Sequence, residues 1–191
     1  MTRVTRMLTI LVVCLALSPT IWADSRGNLN FVFAGRAYED NDTWDPVDTQ
    51  FAWGVDFDFG LPHWPVNWAF QFNGASQDKN IAVGSVLVPY ELQVLEFSTG
   101  VVKYWGKVTR PYIGGGISLV NVDTTSLVTA PGTSVDDTTI GGYVDLGIIW
   151  RIGKLFNIGV DIRGMYADVE LNTNDTSATY GQAGLVLGWG W

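Results

Sequence analysis

From Phe31 to Trp191 the chain alternates bulky apolar residues with small or polar ones, in runs of eight or more residues separated by turn-forming segments. A period of two puts alternate side chains on opposite faces of a strand, and no helix can hold that pattern. Phe51, Trp53, Val55, Phe57 and Phe59 oppose Ala52, Gly54, Asp56 and Asp58. At the C-terminus Ala183, Leu185, Leu187, Trp189 and Trp191 oppose Gln182, Gly184, Val186, Gly188 and Gly190. The same division recurs around Phe31–Ala37, Trp68–Asn73, Leu95–Trp105, Ile140–Arg151 and Ile158–Tyr166, and less cleanly over Tyr112–Asp123. The pattern predicts about eight strands, each long enough for the ~9–11 residues a tilted membrane strand needs.

Which face points inward separates a soluble barrel from a membrane one. A secreted lipocalin-like carrier would bury the apolar face and solvate the other with long Lys and Glu side chains. Here the second face carries Gly, Ala, Asn and Gln with a few charges, which suits the narrow interior of an eight-stranded barrel. The apolar face is bulky throughout, as a lipid-facing belt is. Closure also pairs every backbone group, as crossing hydrocarbon requires. The expected fold is therefore all-β: an eight-stranded antiparallel transmembrane β-barrel, an up-and-down meander. The soluble carrier is the weaker alternative.

Residues 1–23 read as a secretory signal peptide: Arg3 and Arg6, then the apolar Met7–Leu17, then a small residue, Ala23, before the expected cut. Residues 24–191 are the expected barrel domain. Removing Arg3 and Arg6 leaves nine basic residues against 19 acidic ones, a net charge of -10. That balance excludes a basic nucleic-acid binder. Cys14 is the single cysteine and lies in the leader, so no disulfide framework is possible.

The connections alternate in length, and the alternation orients the barrel. Segments 39–49, 77–89, 124–137 and 172–178 are long and rich in Asp, and are expected as external loops. Segments 60–66, 106–110 and 153–156 are short, with Lys107, Arg110 and Lys154 nearby, and are expected as periplasmic turns. Trp64, Trp68, Trp105 and Trp150, together with Trp189 and Trp191, fall at the short-turn end, where an interfacial aromatic belt belongs.

The sequence offers little chemistry. His63, the only histidine, sits in the Leu61–Pro65 turn with no nucleophile or orienting acid near it in the strand map. No catalytic, cofactor or metal residue is assigned. The inward face carries Arg36, Asp56, Asp58, Glu96, Asp145, Arg151, Asp161 and Arg163, read as a salt-bridge network filling the lumen rather than an ion path, since buried charges must be paired. Arg36 and Arg163 are expected to pair across neighbouring strands. The acidic stretch Glu39–Asp45 resembles half a calcium loop but lacks the Gly and distal Glu of an EF-hand. It is read as a solvated loop, with a weak divalent-cation site bridging to lipopolysaccharide as a secondary hypothesis.

Three segments carry a family resemblance: Arg110–Gly116 (RPYIGGG), the Leu95–Trp105 strand before it, and the terminal Leu185–Trp191 (LVLGWGW). On these the chain resembles the small eight-stranded barrels of Gram-negative outer membranes, the outer-membrane-protein-A type, without a periplasmic domain. The resemblance implies outer-membrane lipids and lipopolysaccharide as surroundings. It also implies periplasmic chaperones and the barrel assembly machinery as partners, with Leu185, Leu187, Trp189 and Trp191 as the assembly signal. The expected role is a monomeric scaffold displaying external loops without turnover. A narrow channel or conduit for small solutes, apolar ones included, is the alternative.

Overall fold

Each alternating stretch is an extended strand in the computed structural model, which describes residues 26–39, 47–83, 86–126, 133–171 and 174–191. The expected signal peptide at residues 1–23 and the acidic stretch at Asp40–Asp45 lie outside the described residues. In chain order the strands are β1 (Arg26–Tyr38), β2 (Thr49–Gly60), β3 (Asn67–Val83), β4 (Val86–Tyr104), β5 (Thr109–Ser126), β6 (Thr133–Ile152), β7 (Phe156–Tyr166), β8 (Asp168–Leu171), β9 (Asn174–Ser177) and β10 (Tyr180–Gly190). Eight of them, β1–β7 and β10, form a closed antiparallel barrel in which each pairs with its neighbours along the meander. The seam joins β1 to β10, from Asn28 opposite Gly190 to Tyr38 opposite Tyr180. β8 and β9 form a separate hairpin between β7 and β10.

Side-chain direction follows the sequence alternation. Phe33, Phe51, Trp53, Ile117, Ile140, Ile162 and Leu185 are exposed on the outer wall, while Asn28, Arg36, Asp58, Glu96, Asp145 and Arg163 are buried inside. Ile140 is 72% exposed and Arg36 0%. A soluble carrier needs the reverse arrangement, so that alternative is excluded by the burial pattern.

One end of the barrel is closed by tight turns. Gly106 (φ 83°) and Gly153 (φ 66°) adopt the left-handed conformation that β-carbons disfavour. The outer wall at this end is aromatic: Phe31 meets Trp189 edge-on at 6.1 Å, and Phe57 stacks on Trp191 at 6.0 Å. Trp64, Trp68, Trp105 and Trp150 are exposed around the same end.

The other end corrects the expected loop lengths. Segments 77–89 and 124–137 are mostly ladder, not loop. β3 and β4 stay paired out to Val83 opposite Val86, and β5 and β6 out to Ser126 opposite Thr133. Segment 172–178 likewise contains β9, which pairs with β8. The sequence hid this because alternation marks a strand only where its two faces meet different surroundings. Beyond the apolar belt both faces can be polar, while backbone pairing continues unchanged.

Candidate functional site

Among the described residues the interior gathers polar and charged side chains, organised in tiers along the barrel axis. At the middle tier Glu96 on β4 receives an ion pair from Arg36 on β1 (Nη1–Oε1 2.8 Å) and one from Arg163 on β7 (Nη2–Oε2 3.4 Å). Tyr180 on β10 donates its hydroxyl to the same carboxylate at 2.8 Å and accepts from Arg36 Nη2 at 3.2 Å and Arg163 Nε at 3.0 Å. The Arg36 guanidinium lies over the Tyr180 ring, 3.8 Å from its centre, and that of Arg163 over Tyr143 at 4.2 Å. Gln182 Oε1 accepts from Arg36, and Ser98 Oγ accepts from Arg163 at 2.8 Å. The expected pairing of Arg36 and Arg163 across neighbouring strands is corrected in part. Arg163 does meet its register partner Asp145 (3.2 Å), but both arginines converge on Glu96 from across the lumen. The physical reason is width. An eight-stranded lumen is narrow enough for long side chains from opposite walls to meet.

Below this, toward the short turns, Gln71 donates to Asp145 Oδ2 at 2.6 Å and accepts from Arg163, and Tyr112 donates to Asp161. Gly147 faces the Tyr112 ring so closely that a β-carbon there would lie 2.5 Å from it. Asp56 stands in register between Asn30 and Gln71 on the adjacent strands. A small apolar wall of Val32, Ala34, Ala52, Ala75, Ile149 and Val186 completes the tier.

At the short-turn mouth Asp58 accepts from Asn28 Nδ2 (3.0 and 2.8 Å), Asn67 Nδ2 (2.6 Å) and the Tyr104 hydroxyl (2.8 Å). Arg151, expected in the lumen network, reaches Asn28 Oδ1 and Asn157 Oδ1 instead of an acid. Arg110, read from sequence as a turn charge, turns inward and is 9% exposed.

Above the middle tier the interior changes character. Tyr38, Val47, Leu92, Val94, Val120, Val122, Tyr143, Met165, Ala167, Ala178 and Tyr180 form a buried apolar cluster inside the hairpin end. Sequence analysis missed this plug, and also Gln71, Tyr104, Tyr112, Tyr180 and Gln182 as network members. Strand parity alone places them inward. Much of the pairing is made by neutral side chains, which a pattern of charges does not mark. His63 stays exposed in the turn between β2 and β3, and the described residues contain no group of three or more His, Cys, Asp or Glu that could hold a metal ion.

Neither a protein-family model nor a curated protein sequence matches the chain. Solved structures do. Ail, the attachment invasion locus protein of Yersinia pestis, solved in complex with the heparin analogue sucrose octasulfate, aligns with a TM-score of 0.59 at 13% identity over 88% of this chain and 99% of that one. Neisserial surface protein A aligns with a TM-score of 0.57 at 13% identity over 88% and 96%. OprG from Pseudomonas aeruginosa aligns with a TM-score of 0.56 at 12% identity over 88% and 96%. The fold is that of the small eight-stranded outer-membrane barrels. At these identities the likeness concerns the path of the backbone, so the chemistry of this barrel's interior has to be read from its own side chains.

Proposed function

We propose that the protein is an integral outer-membrane barrel whose lumen is closed, and that it works as a rigid scaffold holding its long hairpins outside the cell, without catalytic turnover. The observation that carries this reading is the cross-lumen cluster of Arg36, Glu96, Arg163 and Tyr180, with the apolar plug stacked directly above it. A solute moving along the axis would have to break ion pairs buried on both sides and then part a packed apolar cluster. Breaking one buried pair by removing a partner typically costs ~3–5 kcal/mol.

The outer wall supports insertion into lipid, with the Trp64, Trp68, Trp105 and Trp150 girdle at the periplasmic headgroup level and lipopolysaccharide around the hairpin end. Export through a signal peptide at residues 1–23 and handling by periplasmic chaperones and the assembly machinery belong to the same reading. Leu185, Leu187 and Trp189, exposed along β10, and the half-buried Trp191 just beyond it serve as the recognition stripe.

Planar-bilayer recording of the purified, refolded protein tests the closed lumen. The expected result is no steady ohmic current, and a stable conductance at neutral pH would overturn the reading.

One observation favours a second role, as a conduit for small apolar solutes through the wall. An open groove of about 470 Å³ is lined by Gly142, Tyr143, Gly164, Met165, Tyr166 and Tyr180 near the hairpin end. Uptake of an apolar fluorescent solute into liposomes carrying the barrel, without accompanying ion conductance, would replace the scaffold with that conduit.

A further inference from the structure

The short-turn mouth holds more positive charge than its neighbours answer. A cavity of about 290 Å³ opens there, with Arg26, Lys107, Arg110 and Arg151 in its lining and no acid among its described lining residues. The ion pairs Arg36–Glu96, Arg163–Glu96 and Arg163–Asp145 all lie away from this mouth. Asp58, the nearby acid, is already taken up by neutral donors from Asn28, Asn67 and Tyr104.

Among the described residues the side-chain hydrogen bonds of these arginines go to neutral acceptors. Arg26 donates from Nε to Asn67 Oδ1 at 3.1 Å and from Nη2 to the Trp64 carbonyl at 2.6 Å. Arg110 (3.1 Å) and Arg151 (2.6 Å) both donate to Asn28 Oδ1, which also accepts from Asn157 Nδ2 at 3.0 Å. An amide oxygen has two lone pairs, and here it faces three donors, two of them cationic. Arg110 is buried against the Tyr104 ring, 4.4 Å from its centre. Asp58 acts on Arg110 and Arg151 through space, but one carboxylate cannot neutralise two guanidiniums, and the cavity beside them supplies the place for a second anion.

We propose that this mouth binds a phosphate-class oxyanion, held between Arg110 and Arg151 with Arg26 and Lys107 at the rim. Guanidinium groups match the oxygen spacing of phosphate and can bind it through paired hydrogen bonds. The cavity is larger than a bare phosphate needs, and Pro65, Val66, Val102 and Trp191 give it an apolar flank that suits the organic part of a phosphate ester. Two sources share this chemistry: a soluble phosphate ester, or the headgroup of an anionic phospholipid at the level of the tryptophan girdle. The inference does not depend on whether the lumen conducts.

The test is calorimetric titration of the refolded full chain in a non-ionic maltoside detergent with inorganic phosphate and with glycerol phosphate, ionic strength held constant with chloride. Saturable one-site binding is expected, weakened at least tenfold in the Arg110→Gln, Arg151→Gln double variant. Lys107→Gln, which leaves the interior intact should the double variant fail to fold, is expected to weaken binding about threefold. Lys154→Gln, in a turn outside the cavity, is expected to leave it unchanged. Repeating the titration in phosphatidylcholine nanodiscs doped with phosphatidylglycerol separates the sources. Loss of phosphate binding there assigns the site to a lipid headgroup, and retention assigns it to a soluble ester. No saturable heat with either phosphate compound, or equal binding by wild type, the double variant and Lys107→Gln, would overturn the proposal.

Discussion

Glu96 is the residue on which the interior turns. It is 1% exposed, it answers two arginines from different strands, and it accepts from Tyr180. Replacing it with Gln keeps the shape but leaves Arg36 without a carboxylate. Urea unfolding in detergent is expected to show a loss of about 3–5 kcal/mol for Glu96→Gln, the range for breaking a buried pair. Replacing Glu96 with Leu and Arg36 with Met together is expected to lose less than that single change, because no buried charge is stranded and Arg163 keeps Asp145. Equal losses in the two proteins would mean that packing, not charge, governs the tier. Gly147 gives a second residue-scale expectation. A methyl group there collides with both the Tyr112 ring and the Val160 carbonyl oxygen, so Gly147→Ala is expected to destabilise by about 1–3 kcal/mol, as overpacking does. Adding Tyr112→Phe is expected not to restore stability, because the ring carbon and the Val160 carbonyl stay in place and the bond to Asp161 is lost; full recovery would assign the collision to the hydroxyl alone.

At the scale of the strand, the two faces predict opposite responses to the same substitution. Leu146 stands outward on β6, and its register partner Ile162 is outward too. Leu146→Arg is expected to cost about 2–4 kcal/mol if that face meets the middle of a bilayer, against about 0–1 for Leu155→Arg in the turn at the end of the same strand. Folding titrations into lipid vesicles measure both, and equal small costs would argue against lipid on that face.

The same distinction between faces explains how far the sequence could be read. Inside the apolar belt the two sides of a strand differ so sharply that Trp53, Phe72, Ile162 and Leu187 announce their direction, and the barrel strands with them. Past the belt that contrast ends, so the paired stretch from Gln77 opposite Leu92 to Val83 opposite Val86 looked like loop. The interior was legible as a set of inward charges but not as a set of contacts. That Arg36 meets Glu96 depends on how the sheet closes, and no local pattern encodes that. Arg110 was missed because a charge beside a short turn reads as solvated, although its parity matches inward-facing Tyr112.

For the molecule as a whole, the terminal stripe offers the sharpest assembly experiment. Trp191 stacks on Phe57 and exchanges backbone hydrogen bonds with Gly27 at 3.1 and 3.2 Å, tying the end of β10 to the base of β1 and β2. Trp191→Asp is expected to lower the amount of heat-modifiable barrel in the outer membrane severalfold. It is also expected to slow unassisted folding into vesicles much less, if the stripe is chiefly a recognition signal. An equal effect in both assays would assign Trp191 to stability alone.

The seam between β1 and β10 has a consequence for the order of events. Its contacts join residues about as far apart in the chain as the barrel allows, Asn28 with Gly190 and Phe33 with Leu185. Every other barrel pairing joins strands consecutive along the meander, so hairpins can zip in succession at small entropic cost, whereas the seam must close a loop of nearly the whole domain. Until it does, β1 and β10 present bare edges, and an intermediate at that stage is a sticky open sheet. The half-life of that open form, rather than the strength of any single tier, sets how long those edges are open to pairing with another chain.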